Sequence, residues 1–404
     1  MLRSSSAGQV AQIMTGQNPI AFSTGWLEEA SGNLAEFRAL TSRTTRTSDA
    51  PLAADIQHNI PVYDGNFVNE AAETPAARRR LLTEWTAVLA QGPGILVIKQ
   101  GMADHAVIDQ ATSIFEHLID TEKSAKGGGG DHFAKAGAND RVWNALEKHC
   151  LHDPHNFAHY YAAHAINMAA EAWLGPAYQM TAQVNCVNPG GAAQNPHRDY
   201  HLGFMTVAQA AAFPTHTHTL SPFLTLQGAV AHCDMPVESG PTQLLPFSQT
   251  FCEGYLAFSR PEFQDYFVQN YVQIPLQKGD LLFFNPAVMH AAGENVSSDI
   301  YRIANLLQVS SAFGRAMEAI DRHAMSIALY PALLEADLTG REQENAIASC
   351  AEGYAFPTSL DRDPPVGGLA PKSQAEFFLE ALKEARELNV FAKILDKLRA
   401  RQLG

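Results

Sequence analysis

Apolar residues along this chain repeat with two different periods. From Arg78 the run RRRLLTEWTAVLAQ sets Leu81, Trp85 and Leu89 four residues apart, the stripe of a helix with one buried face. Gly92-Pro93-Gly94 stops that helix, and ILVIK over 95–99 reads as a buried strand. A second helix is predicted near Ala106 to Leu118, and the glycines 127–130 after it predict a mobile loop near an opening, because four residues without side chains do not hold one conformation. β-runs are then expected near 180–187, 222–231, 242–246, 272–276, 281–284 and 301–309, with Gly and Pro between them, an antiparallel pattern. Beyond residue 310 the period returns to that of helices in AFGRAMEAIDRHAMSIAL and QAEFFLEALKEARELNVFAKILDKLRARQL. The proline-rich stretch from Pro357 to Pro371 joins the two, and RTTRTSDAP near residue 50 reads as a linker behind a polar N-terminal arm.

Composition narrows the class. Of 404 residues, 46% are hydrophobic and 17% charged, which fits one large buried core. A formal charge of −14 repels phosphate backbones and anionic lipid, so neither nucleic acid nor membrane is expected as a partner. No apolar run approaches the length that spans a bilayer. Cys150, Cys186, Cys233, Cys252 and Cys350 show no CxxC spacing, which argues against a disulfide framework or zinc knuckle and for reduced thiols in the cytoplasm.

The candidate chemistry starts at Asn195-Pro196-His197-Arg198-Asp199-Tyr200. In extended backbone, residues two apart point the same way, so His197 and Asp199 can ligate one metal ion together. Such a pair is common by chance. A third ligand comes from the downstream block KGDLLFFNPAVMHAAGENVSSDIYRIANLLQVS, where His290 lies just beyond an apolar strand. Two imidazoles and one carboxylate on one face of octahedral Fe(II) leave three positions open, enough for a bidentate 2-oxo acid and O2. 2-Oxoglutarate would supply two electrons by oxidative decarboxylation, and its far carboxylate needs an anchor. Arg302, twelve residues beyond His290 and on one strand face with Ala304, Leu306 and Gln308, has the planar fork for that carboxylate. This reading requires the strand to face the barrel interior; the alternative is an arginine in a surface ion pair.

Residues 85 to 310 resemble the phytanoyl-CoA dioxygenase family of Fe(II)/2-oxoglutarate oxygenases. The likeness rests on the helix-Gly-strand segment ending in ILVIK, on HRD at 197–199, on SGPTQLLPFSQ at 239–249 and on GDLLFFNPAVMHAAGENVSSDIYR at 279–302. It implies a mainly β fold with flanking α: a double-stranded β-helix, jelly-roll or cupin-like, with N-terminal helices and a helical C-terminal extension. It assigns His197, Asp199 and His290 to iron and Arg302 to 2-oxoglutarate. Two positions depart from the family. Pro246-Phe247-Ser248-Gln249 stands where Pro-Gly-Ser-His is usual, and Ala292 where a Ser or Thr often follows the distal histidine. Retention of Asp199 favours oxygenation over halogenation, since related halogenases carry Ala or Gly there. Hydroxylation of an aliphatic carbon in a small molecule, with release of succinate and CO2, is the expected reaction. Desaturation, cyclisation or epoxidation on the same iron, or a sensor that turns nothing over, are the rivals. The expected division is an arm over 1–55, an oxygenase domain over 56–310, and helices over 311–404 that pack on the core or mediate self-association.

Further residues are candidates for the cavity. In MTAQVNCVN the alternation puts Thr181, Gln183 and Asn185 on a polar face; turned toward the barrel mouth, Gln183 and Asn185 would touch cosubstrate or substrate, and turned outward they would meet solvent. Tyr200, His201 and Phe204 follow the HxD directly, and Lys135, Arg141 and Trp143 would belong to a lid over the substrate. His216 and His218 are read as surface histidines of a loop insertion. His152, His155, His159 and His164 form a polar helix face, and no HExxH is present.

Overall fold

A computed structural model describes residues 25–126, 137–199, 205–355 and 359–402. Ten strands form among them: β1 (Asp55–Gln57), β2 (Ile60–Asp64), β3 (Ile95–Lys99), β4 (Asn139–Val142), β5 (Gln179–Val187), β6 (Thr225–Ala231), β7 (Gln243–Leu245), β8 (Leu281–Phe284), β9 (Met289–Ala291) and β10 (Arg302–Ser310). Eight of them make one sheet in the order β1-β2-β3-β8-β6-β10-β5-β4, with every pairing antiparallel except β2 with β3. Opposite it, β7 and β9 pair, and single bridges widen this second layer: Leu244 joins Val272, and His290 joins His197. The two layers face each other as the expected double-stranded β-helix.

Period-two alternation builds the cavity wall. On β5, Met180, Ala182 and Val184 pack into the helical core, while Thr181, Gln183 and Asn185 take the other face. β10 does the same with Ile303, Leu307 and Val309 outward. Arg302, Ala304, Leu306 and Gln308 line a cavity of about 940 Å³ between the layers. Helices cover the outer face of the sheet and contribute more residues than the strands do. The helix over Pro75–Ala90 buries Leu81, Trp85 and Leu89, the stripe read from the sequence, each worth about 1.5–3 kcal/mol of apolar burial.

Tertiary contacts override the sequence pattern in several places. β1 and β2, not anticipated, are a hairpin turned by His58 and Asn59 at φ 50° and 71°. The run 272–276 crosses between layers and contributes only two bridges, Val272 to Leu244 and Leu276 to Met235. Residues 312–320 are not helical; the helix starts at Arg322, where the Asp321 carboxylate accepts from the His323 and Ala324 N–H groups. The last predicted helix is two, Gln374–Lys383 and Leu388–Gln402, because Ala385 turns to φ 46°, the Arg386 N–H closes back on the Ala381 carbonyl, and the Tyr330 hydroxyl sits against the carbonyls of Ala381 and Arg386. Their apolar residues Phe378, Phe391 and Leu395 are buried within the chain. The helix over Gly340–Cys350 was unanticipated. The glycine run and Lys135 lie outside the described residues. No helix among the described residues is long and apolar enough to cross a membrane.

A buried polar chain sits in the helical layer. The Asn305 amide donates to the hydroxyls of Tyr160 and Tyr161, both at 3.2 Å, and Tyr160 bonds His232 Nε2 at 2.7 Å. Thr112 holds His232 Nδ1 at 2.9 Å, and His149 Nε2 bonds Asn156 at 2.8 Å. Burial pushes His232 down to about 3 and His149 to about 4. Both therefore fold neutral, whereas in the unfolded chain each takes a proton below about pH 6.5. The unfolded state binds more protons across that range, so stability should fall as pH drops from about 6.5 toward 4. Urea denaturation from pH 7.5 to 4 should show this loss, and a smaller one in His149→Phe, which should also cost about 1–3 kcal/mol at pH 7 by orphaning the Asn156 oxygen.

Candidate metal centre

His197 and His290 come from segments far apart in sequence, and reciprocal backbone bonds join them: each N–H donates to the other's carbonyl at 2.9 Å. This pairing puts both imidazoles on one side, with ring centroids 4.5 Å apart. Asp199, two residues along the same extended segment, is fixed by its N–H to the Pro286 carbonyl at 2.9 Å. The three side chains thus converge, with one ligand atom from each lying within 4.8 Å of the others. His197 Nδ1 bonds the Asn195 carbonyl and His290 Nδ1 the Val288 carbonyl, both at 2.8 Å. A carbonyl only accepts, so each Nδ1 carries the proton and each Nε2 turns its lone pair toward Asp199, 3.8 Å and 3.7 Å away.

The electrostatics favour a bound cation. Burial alone would raise the Asp199 carboxyl, but positive charge at His290 and His197, where their Nε2 atoms took protons, and the Gln227 amide hold it below the ordinary range, as a cation seated on those Nε2 atoms would. Gln227 Nε2 donates to Asp199 Oδ2 at 2.6 Å, and burial followed by His290 lowers His197. Between the two ligands of the HRD segment, Arg198 points the other way. Its guanidinium is buried, bonds the Ser248 and Phe251 carbonyls, and lies over the Tyr255 ring at 5.4 Å.

Arg302 also lies on the cavity wall. It is 7% exposed, has no hydrogen bond or ion pair with a described residue, and leaves Nη1 buried without an acceptor. Burial pushes it down to about 10, so it stays charged at neutral pH. Gln183, Asn185, Arg141 and Trp143 line the same cavity, Arg141 donating to Gln183 at 3.3 Å and lying over the Trp143 ring at 5.0 Å. Tyr200, His201 and Phe204 lie outside the described residues. His216 is exposed, but His218 is not the surface residue the sequence predicts: a short helix over Thr215–Leu220 buries it near Tyr255. Of the four histidines upstream, His152, His155 and His159 are exposed, whereas His164 is buried on Asn345.

The two departures from the family pattern acquire structural roles. Gln249 Nε2 reaches the Gly92 carbonyl at 2.8 Å, and a Cβ on Gly94 would lie 2.5 Å from its side chain. Ser248 Oγ accepts from the Met289 N–H at 2.7 Å and so supports the strand carrying His290. Ala292 donates its N–H to Gln194, another cavity residue, at 3.2 Å. Sequence reasoning missed Gln227, although an amide inside the apolar run LTLQGAV was a visible anomaly, and it missed Glu318, which lies beyond the motif region.

The phytanoyl-CoA dioxygenase (PhyH) family model matches residues 90–304, over half of the chain. The chain belongs to the phytanoyl-CoA dioxygenase family. It is accordingly an Fe(II)/2-oxoglutarate-dependent enzyme with oxygenase-type activity, using O2 as cosubstrate. No curated protein matches its sequence. Among solved structures it is similar to the non-heme α-ketoglutarate-dependent epimerase SnoN from nogalamycin biosynthesis, at 21% identity over 59% of this chain and 85% of that one, TM-score 0.39. It is also similar to the carbocyclase SnoK of the same biosynthesis, at 20% identity over 58% and 86%, TM-score 0.42.

In this PhyH-family chain, Gly254 allows Arg198 to lie where it does, since a Cβ there would sit 1.9 Å from the guanidinium carbon. Gly254→Ala should displace Arg198 and strip its buried guanidinium of the Ser248 and Phe251 carbonyls, lowering stability by about 2–4 kcal/mol in urea denaturation. Unchanged stability would show that the guanidinium is not held there.

Proposed function

We propose that His197, Asp199 and His290 hold Fe(II), that Arg302 binds the far carboxylate of 2-oxoglutarate, and that the enzyme hydroxylates an aliphatic carbon of a small molecule. The observation carrying this reading is that one cavity contains both the three converging ligand atoms and a buried arginine without an anion among the described residues. A buried cation is costly unless paired, and a dicarboxylate cosubstrate supplies the missing charge. The donor set, two neutral imidazoles and a carboxylate, suits Fe(II) and leaves positions for cosubstrate and O2. When bound, the iron would couple decarboxylation of 2-oxoglutarate to oxidation of a C–H bond: substrate, 2-oxoglutarate and O2 give hydroxylated substrate, succinate and CO2.

The chain's own residues supply geometry and environment. Asn195 and Val288 set the imidazole tautomers, and Gln227 keeps Asp199 ionised and oriented. Met235, Leu276, Leu282 and Phe284 line the cavity with apolar surface, which would exclude water from the reacting carbon. Gln183 and Asn185 are further contacts for cosubstrate or substrate, and Arg141 and Trp143 for substrate, all four being on the cavity wall. About 940 Å³ holds a small organic molecule beside the cosubstrate. The unbridged cysteines fit the reducing cytoplasm.

Anaerobic addition of Fe(II) and 2-oxoglutarate should give a weak visible charge-transfer band, absent in His197→Ala. Arg302→Gln should raise the 2-oxoglutarate concentration for half-maximal band roughly 10–100-fold while iron binding without 2-oxoglutarate is retained. A wild-type protein that binds no iron, or a band formed without 2-oxoglutarate, would sink the assignment.

A further inference from the structure

We propose that Glu318 selects the substrate, accepting a hydrogen bond from a hydroxyl or ammonium at one end of an elongated, otherwise apolar small molecule. This rests on the cavity being the active site described above, and it names what the cavity takes. Glu318 lies between β10 and the helix that begins at Arg322, beyond the segment matched by the family model.

One carboxylate oxygen, Oε1, accepts from the Asn144 N–H at 2.8 Å. The other, Oε2, is shielded from solvent and receives no hydrogen bond. Buried acceptors left without donors are rare in folded proteins, so such an atom on a cavity wall calls for a ligand that carries the donor. Burial raises the Glu318 carboxyl; the Asn144 N–H, the Gln183 amide, the Lys148 charge and the Ala182 N–H act against this, but no donor meets Oε2 in hydrogen-bond geometry. Asn139 Oδ1 and Asn185 Oδ1, also buried and without donors, line the same cavity nearer Arg302. The Glu318 oxygen is an acceptor only and negatively charged, so it calls for an O–H or N–H group on the ligand and repels a carboxylate.

Strand register sets the scale of the molecule. Gln183, beside Glu318, pairs with Leu306, which pairs with Ala229, two residues from Gln227 at the metal ligand Asp199. Two strand spacings and two residues along a strand separate the Cα atoms of Gln183 and Gln227 by about 12 Å. A molecule held at Glu318 and oxidised near Asp199 thus has roughly the length of three fused rings. Leu306 and Ala229 between the two ends give it an apolar floor.

The test assays succinate release by full-length, Fe(II)-loaded protein with three-ring alicyclic compounds that differ at one end: hydroxyl, ammonium, methyl or carboxylate. The hydroxyl or ammonium compound should stimulate release roughly 10–100-fold more than the methyl compound, the range for a hydrogen bond to a charged group. Glu318→Leu should erase that preference. Retention of the response in Glu318→Gln marks a hydroxyl as the donor, and its loss marks an ammonium. A second readout uses metal-free protein: Glu318→Gln should leave the melting temperature unchanged or higher, whereas a drop of more than about 2 °C identifies a structural role and overturns the proposal. The proposal also fails if neither the hydroxyl nor the ammonium compound stimulates, or if the preference survives in Glu318→Leu. The anaerobic charge-transfer band separates the two claims. Present in wild type and Glu318→Leu, it leaves the iron assignment standing whatever Glu318 does; absent in wild type, it removes both.

Discussion

The pair of backbone hydrogen bonds between His197 and His290 is the constraint on which the site depends. Side chains alternate along extended backbone, so a slip of one residue would turn one imidazole out of the cavity and dismantle the triad. The register is held from several sides. Leu244 pairs with His290 on the far edge of β9, Ser248 binds the Met289 N–H, and Arg198 ties the HRD segment to the carbonyls of Ser248 and Phe251. Arg198 thus serves the site by pointing away from it. The alternation that aims His197 and Asp199 inward aims the arginine at its anchors.

A second consequence of alternation is the two-faced character of β5 and β10. Their outer residues are locked into the helical layer, where a hydrogen-bonded chain runs from Asn305 through Tyr160 to His232. Their inner residues include polar atoms without protein partners among the described residues: Arg302 Nη1, Asn185 Oδ1 and, nearby, Gln227 Oε1. Each carries a desolvation cost in the free protein. An outer face packed into the helical layer and an inner face lining the cavity, on the same strands, let a rigid scaffold hold the site.

The departures from the family pattern fit the same logic. Gln249 spends its amide on the turn at Gly92, stitching the helix over Pro75–Ala90 to the second layer rather than facing the cavity. The small side chain of Ala292 leaves space that Gln194 borders.

What the sequence determined by itself was whatever rests on local periodicity and short-range spacing. The alternation in MTAQVNCVN and YRIANLLQV, the stripe at Leu81, Trp85 and Leu89, and the two-residue spacing of His197 and Asp199 all follow from geometry within one segment. The downstream block added His290 and, twelve residues on, Arg302, and the family resemblance assigned them the same roles. Only the tertiary structure decided which face of β5 turned inward, because both faces of an alternating strand are locally equivalent until a partner layer covers one of them. It likewise buried His218, broke the final helix at Ala385, and brought Glu318 from the C-terminal part of the chain to the cavity wall. These outcomes depend on contacts between residues far apart in sequence, such as Tyr330 with Arg386 or Asn144 with Glu318, and no spacing rule within a segment encodes them.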